Sequence, residues 1–534
     1  MKNQKCRHLV LILGDQLDEA SSAFDGFDSS QDVVLMIEAL EESTHVWSHK
    51  IRTTLFLSAM RHFAEDLKQR GWQVDYRALD TAADKTLAGG LLAAIEKHQP
   101  EAVLGVEPGD LRVRSQLESA INSGAARAHK TLAAASKQAK KPALEWREDK
   151  HFLCGLPQFR KWAGKSSSLR MEYFYRTMRK QYRVLMDADK PDEPVGGQWN
   201  FDAENRKSFG KAGPQNVPQA IQYKPDAITK DVIKLVNSHF AGHPGELGDF
   251  NWPVTRKQAL VALKDFIDNR LPQFGPHEDA MWTNLDFGWH SLLSSSLNLK
   301  LLNPLEVVLA AEAAYKKHDL DLASVEGFIR QILGWREFMR GVYFVDMPEL
   351  KTANHYGHTN ALPKWYWTGD TKMNCMKQCI DQTLKNGYSH HIQRLMVTGM
   401  FGVTAQISPQ AVCDWYLAVY VDAVEWVELP NVAGMALFAN GGRFTSKPYV
   451  ASGAYVKRMS NYCSGCQYEP ETRVGASACP LTTLYWNFLD QHESTFASNP
   501  RTALMVKNLQ RMAPEVRTQV RERATEMLAD LDSL

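Results

Sequence analysis

Apolar runs short and pure enough to be buried strands are confined to the beginning of this 534-residue chain. Leu9-Val10-Leu11-Ile12-Leu13, Val33-Val34-Leu35-Met36-Ile37 and Ala102-Val103-Leu104-Gly105-Val106 each read as a strand covered on both faces, which requires a parallel sheet with helices on either side. The helical stretch from Thr53 to Arg70 separates the second run from the third, so the N-terminal region predicts a doubly wound, Rossmann-like α/β domain. Beyond Trp252 strand signals nearly vanish, and Thr255 to Asn269, Pro304 to His318 and Ala323 to Arg340 carry helical periodicity. Pro191 to Gly248, rich in Pro, Gly, Asn and Asp, predicts a long connector, and the Ala- and Lys-rich segment 124 to 141 an exposed insertion. A single core stops growing at roughly 250 to 300 residues. The expected architecture is therefore α/β + all-α: an α/β domain over 1–140, a basic helix and interdomain linker over 141–250, and a large helical domain over 251–534.

Ligands of such a sheet bind beyond the C-terminal strand ends. The sequence places Gly14-Asp15-Gln16, Glu38 to Glu42 and Glu107-Pro108-Gly109 there, without the G-x-G-x-x-G of a dinucleotide site. These carboxylates either hydrogen-bond a polar ligand or cap the following helices.

Near the C-terminus Cys463-x-x-Cys466 and Cys479-Pro480 have the spacing of metal-cluster ligands, with Cys6, Cys154, Cys375, Cys379 and Cys413 as candidates for a fourth. Zinc suits four thiolates equally well, and a disulfide is the blander alternative. The 62 basic and 61 acidic residues exclude a global pull toward nucleic acid, so any such pull must be local. Between Lys150 and Arg183 nine basic residues face the single acidic Glu172, and Arg176, Arg179, Lys180 and Arg183 recur at helical spacing; a solvated surface helix is the alternative reading. No apolar run approaches the ~18 residues of a membrane span. The N-terminus lacks a cleavable export signal, so a cytoplasmic protein is expected.

Four stretches of the helical half together resemble the flavin-binding domain of the photolyase and cryptochrome family. They are His290-Ser291-Leu292-Leu293-Ser294-Ser295-Ser296-Leu297-Asn298, Phe328 to Phe338 with Gly334-Trp335-Arg336-Glu337, His390-His391-Ile392-Gln393-Arg394, and Lys447-Pro448-Tyr449 with Gly453 to Arg458. With the cysteines, Gly14-Asp15-Gln16-Leu17, Asn200 to Asn205 and Trp426 to Val432, the chain is similar to the iron-sulfur bacterial cryptochromes and photolyases, or prokaryotic (6-4) photolyases.

That resemblance implies FAD, a 4Fe-4S cluster and 6,7-dimethyl-8-ribityllumazine as an antenna chromophore. It implies cluster ligands Cys375, Cys463, Cys466 and Cys479, with Cys379 a bystander. FAD contacts would come from His290, Ser291, Leu292, Ser294, Ser295, Trp335, Arg336, Arg394, Asp422 and Glu428, and lumazine contacts from Gly14, Asp15 and Glu42. The implied activity is light-driven repair of (6-4) photoproducts in UV-damaged DNA by a monomer. His391, beside His390, would donate a proton, and Trp415, Tyr416 and Trp367 would relay electrons to the flavin. Leu395 stands where eukaryotic (6-4) enzymes carry a further histidine, which concentrates the proton work on His391. A photoreceptor without repair activity is the alternative function.

Overall fold

The computed structural model describes residues 6–81, 85–132, 142–318 and 320–534. Five strands build one parallel sheet: β1 (His8–Leu11), β2 (Val33–Ile37), β3 (Val74–Arg77), β4 (Ala102–Val106) and β5 (Ala143–Arg147), in the order β3-β2-β1-β4-β5. Leu9 lies opposite Val33 on one side and Val103 on the other, so the three purely apolar runs form the centre. The two outer strands escaped the sequence reading for a physical reason. Edge strands keep contact with solvent, and Asp75, Arg77, Glu145 and Arg147 interrupt the apolar pattern on which the reading relied. The sheet thus continues past residue 140, to Arg147.

The strand order reverses across β1 and β4, and the loops leaving their C-terminal ends diverge to open a crevice. The helix Lys50–Gln69 closes one side of it. His49 caps this helix by accepting from the Ile51 N–H, while its Nε2 lies 2.8 Å from the Leu384 carbonyl of the helical half. Arg52, one turn on and buried, donates to the Ala423 carbonyl (3.2 and 3.3 Å). The two halves are therefore joined by buried polar contacts as well as by apolar packing.

The connector is less loose than its composition suggested. Ala227–His239 is a helix, started by Asp226, whose carboxylate accepts from the Thr229 N–H, and it packs Val232, Leu235 and Val236 against Lys50–Gln69. The i, i+3, i+4 spacing of those apolar residues carried the signal, overshadowed by the Pro and Gly around it. Of the expected insertion, residues up to 132 continue the helix Leu111–Leu132, and 133–141 lie outside the described residues.

In the second half Pro304–His318 is one helix, as its periodicity predicts. The long pattern from Ala323 to Arg340 is realised as Leu322–Ile329, a π-helical stretch Arg330–Arg336 and Glu337–Asp346. Similar π-helical stretches occur at Arg394–Gly399 and Pro430–Ala436. Each such flare widens the backbone where site residues were expected, a recurrent property of functional helices. Among the described residues no helix is long and apolar enough to cross a membrane.

Candidate functional site

Arg394 opens the π-helical stretch that follows the single turn His391–Gln393. Its guanidinium grips both oxygens of Asp422 at 3.0 and 3.2 Å and lies 3.8 Å above the Tyr420 ring. Ser294 Oγ donates to the same carboxylate (2.7 Å), and Asn298 Nδ2 donates to the Asp422 carbonyl (2.8 Å). One ion pair thereby fixes the Ser-rich segment Ser294–Asn298 against the histidine turn. Ser295 Oγ, Ser296 Oγ and Glu428 Oε1 are buried nearby in sequence or structure without any hydrogen-bond partner. Buried polar atoms are normally satisfied, so these orphans are the mark of a polar ligand's site.

His390 caps the turn reciprocally with Gln393, and its backbone N–H donates to Gln393 Oε1 (3.0 Å). Its ring stacks on His290, centroids 4.4 Å apart at 15°. Burial drives both toward the neutral form, His290 down to about 4 and His390 well below the ordinary value. His391 differs from both, because its ring is exposed. Crowding by protein atoms, then the charge of Arg394 and the proximity of His290, push its pKa down to about 4. Water at so open a residue weakens the desolvation behind that shift, while the neighbouring Arg394 charge and His290 support its direction. Burial, then Glu425 and Asp414, raise Glu428 well above the ordinary carboxylate range, which favours its neutral form.

The aromatic residues converge on the same turn. Tyr416 hydroxyl is 2.6 Å from the Arg394 carbonyl and 2.7 Å from Thr398 Oγ1. The Trp415 ring lies 5.3 Å from Tyr416 and 6.4 Å from Trp367, with its indole N–H donating to the Tyr366 carbonyl (3.0 Å). Trp335 and Arg336 make no ring or cation–π contact with these aromatic residues. Trp335 packs edge-on to Phe338, and Arg336 lies over Phe152 and Trp426 (4.5 and 5.0 Å), donating to the Leu297 carbonyl and pairing with Glu337. Leu292 takes a positive φ of 59° at the start of the Ser-rich segment, and Ser291 Oγ accepts from the Leu293 N–H (3.4 Å).

The four cysteines singled out as cluster ligands come from three segments. Cys375 stands on the helix Asn374–Asn386, Cys463 on the turn Tyr462–Gly465 with Cys466 immediately after it, and Cys479 caps Pro480–Gln491. Asn374 Nδ2 donates to the Tyr462 carbonyl (2.7 Å), tying the first two segments together. A side chain at Gly453 would come within 2.9 Å of Cys479 Sγ. All four thiols are free, and burial raises that of Cys375 well above its ordinary value, with further upward pushes from Cys479, Cys379, Cys463 and Cys466. Burial, then Cys479 and Cys466, push Cys463 up to about 12. Among the described residues no three of His, Cys, Asp and Glu converge closely enough for a single metal ion. Cys379, one turn along the same helix, lies instead beside the Tyr462 phenol.

At the crevice of the sheet, Gly14, Asp15, Glu42, Gly109, Asp110 and Glu425 line one cavity. A side chain at Gly109 would collide with the Trp426 ring at 2.6 Å, which explains the glycine. Burial pushes the Asp15 carboxyl upward. Glu42 is held by Arg112 through two 2.9 Å bonds, so its carboxylate reaches the cavity already paired.

The basic face is corrected by the structure. In the helix Met171–Tyr182, Arg179 is 0% exposed and donates to the carbonyls of Val184, Leu185 and Trp199. It holds a chain reversal together and cannot contact a phosphate. Arg176 is half-buried, paired with Glu172 and stacked on Trp199 and Tyr173. Arg179→Met should therefore lower stability by on the order of 3 kcal/mol, because three carbonyls lose their donor, and thermal unfolding followed by circular dichroism reads it. A melting point equal to the parent's would refute the structural role.

Residues 10–252 match a family model described as deoxyribodipyrimidine photo-lyase-related protein. Over 526 residues the chain is 44% identical to a "(6-4) photolyase" of Agrobacterium fabrum, covering 98% of this chain and 99% of that protein. In three dimensions it resembles a bacterial class III photolyase from Agrobacterium tumefaciens, with a TM-score of 0.55 and 15% identity over 99% of this chain and 98% of the other. It also resembles a Synechocystis cryptochrome, at TM-score 0.55 and 11% identity over 98% of this chain and 100% of that one. The two structural likenesses establish the fold.

Proposed function

The chain belongs to the prokaryotic (6-4) photolyase branch of the photolyase and cryptochrome family, and from that premise we propose that it repairs (6-4) pyrimidine–pyrimidone photoproducts in DNA with light. The observation that carries the reading is the exposure of His391, three residues before the Arg394–Asp422 clamp and beside His290 and His390, which stack on each other and are half-buried and buried respectively. A proton donor for a DNA lesion must be reachable from outside, and His391 is the most open of the three histidines.

The family's chromophore is a flavin, and the residues present fit FAD. The orphaned hydroxyls of Ser295 and Ser296 and the unpaired Glu428 Oε1 await polar partners, and Arg394 with Asp422 brackets the same region. Reduced FAD excited by light supplies the high-energy electron that a crosslinked pyrimidine pair requires. The chain's own part is to hold the proton on His391, to keep Glu428 neutral as a donor, and to carry electrons inward through Trp367, Trp415 and Tyr416. Cys375, Cys463, Cys466 and Cys479 would hold the 4Fe-4S cluster. The four cysteines lie near enough for Cys463, Cys466 and Cys479 each to disfavour ionisation of Cys375, and they offer the four thiolate donors that such a cluster takes. The cavity lined by Gly14, Asp15 and Glu42 would hold the lumazine.

The test is to illuminate reduced protein with an oligonucleotide bearing one (6-4) lesion and to follow restored pyrimidines by chromatography. Repair of this lesion is expected; binding without repair by fully reduced protein would move the reading to a photoreceptor. The relay has its own test. Trp415→Phe keeps the packing of a residue that is 0% exposed but is far harder to oxidise, so flavin photoreduction should stop or nearly stop. Photoreduction at the parent rate would refute the relay.

A further inference from the structure

We propose that Trp47 is the outer terminus of the electron relay, the point at which a small reductant in solution refills it; this rests on the relay reading above. Trp47 lies in the sheet domain, between Leu40–Thr44 and the helix Lys50–Gln69, whereas Trp367, Trp415 and Tyr416 belong to the helical half. Its ring lies 4.9 Å from that of Trp367, tilted by 53°, a shorter separation than the 6.4 Å between Trp367 and Trp415. The four rings form a continuous series from Tyr416, under the Arg394 carbonyl, outward to Trp47.

Exposure decides which member is the outlet. Tyr416 and Trp415 are buried, and Trp367 is partly covered, the cover on one side being Trp47 itself. Trp47 is 46% exposed, although burying a large aromatic ring is favourable. Its position is nevertheless fixed, because its indole N–H donates to the Gly242 carbonyl (3.1 Å). An exposed tryptophan with neither a role nor a partner has no reason to be pinned at its indole nitrogen and set against a second tryptophan ring. A carbonyl at Nε1 also favours the oxidised ring, since it stabilises the positive charge without accepting the proton.

The electron count closes simply. Light-driven transfer of one electron inward, with Tyr416 refilled at once from Trp415, would leave a single hole on Trp415. One electron moves from Trp367 to Trp415, and one from Trp47 to Trp367, so that Trp47 becomes the cation radical with its Nε1 proton retained. A small one-electron reductant, a thiolate or ascorbate, then gives one electron to Trp47 at its exposed face. No bond is made or broken in the chain.

Substitution by two residues of different size separates the possibilities. Trp47→Phe keeps Trp367 covered and removes the outlet, so steady-state photoreduction with ascorbate should slow several-fold and the tryptophan radical seen after a laser flash should decay faster by recombination. Trp47→Ala removes the outlet and uncovers Trp367, so its rate should recover toward the parent's. Illumination without reductant, followed by peptide mass spectrometry, should place oxidation on Trp47. Trp72→Phe, in the separate Phe24–Phe27–Trp72 cluster, controls for loss of a tryptophan as such and should leave all three readouts alone. Trp47→Phe with the parent's rate and radical lifetime, while Trp415→Phe is blocked, would sink this inference and leave the inner relay standing. Unimpaired Trp415→Phe would remove both.

Discussion

His391→Ala should reduce repair of a (6-4) lesion by roughly 100- to 10,000-fold, the usual cost of losing a general acid, while FAD content and flavin photoreduction stay at the parent's level. The expectation follows from position. His391 contributes no capping bond to its own turn, since His390 and Gln393 supply that, and its ring packs on neither of its neighbours. Removing the ring should therefore leave the Arg394–Asp422 clamp and the His290–His390 stack in place. The pH profile gives a second readout. Arg394 and His290 hold His391 below the ordinary 6.5, so at neutral pH most of it is unprotonated, and repair should rise as pH falls. The phosphates of a bound lesion oppose Arg394 and shift that rise to higher pH. Acid also acts on the fold. His290 and His49 are both held near about 4, so each contributes stability that is present above 6.5 and lost as pH falls from there toward 4. The informative limb is thus the one between pH 8 and about 6.5, above the onset of that loss. A His391→Ala profile that keeps the parent's slope there, or repair within a factor of about three of the parent's, would assign the proton to another group.

What was legible in the sequence follows from where each signal is encoded. Val33–Ile37 and Ala102–Val106 have the bounds their apolar runs predict, because a strand covered on both faces needs nothing else to define it. Val74–Arg77 and Ala143–Arg147 exist only through pairing with a neighbour already in place, so their own residues announce little. Arg394 and Asp422 are 28 positions apart, and nothing in spacing links them; the motif did, and the structure closes the pair at 3.0 Å. Arg179 erred in the opposite direction, because helical spacing puts it beside Arg176, Lys180 and Arg183 but cannot tell that a chain reversal after Tyr182 folds three carbonyls over it. Trp47 attracted no notice at all. Its meaning lies in a contact across 320 positions with Trp367, and an isolated tryptophan in a helix-start loop carries no pattern.

Loss of a single buried ligand thiol should have the largest effect on the molecule as a whole. Cys375→Ala is expected to yield no folded soluble protein, whereas Cys379→Ala, one helical turn further along the same buried face, should fold with full iron and sulfide. The contrast comes from what each thiol faces. Cys375 interacts with Cys479, Cys463 and Cys466, which belong to two other segments, and Cys379 with the Tyr462 phenol. Without a cation between them, the four thiols are a set of groups whose burial and mutual influence both oppose ionisation, and polar ties among their segments include the Asn374 to Tyr462 bond and the approach of Cys466 Sγ to the Lys372 carbonyl. A cluster replaces that repulsion with four iron–sulfur bonds that exist only in the folded chain, so its binding energy is folding energy. It joins the start of Asn374–Asn386, the turn Tyr462–Gly465 and the N-terminus of Pro480–Gln491, and the last of these packs against Met400–Thr404 directly after the Arg394 stretch. A cluster held there would support the floor of the proposed flavin region rather than feed it electrons, since the relay rings lie on other segments. Cys466→Ala, at the partly exposed ligand, is the milder variant that keeps the idea testable if Cys375→Ala fails for packing reasons alone. It should lose iron and acid-labile sulfide together with solubility. Soluble Cys466→Ala protein that is free of iron, binds FAD and photoreduces at the parent rate would show that the thiols are not what holds this end of the molecule together.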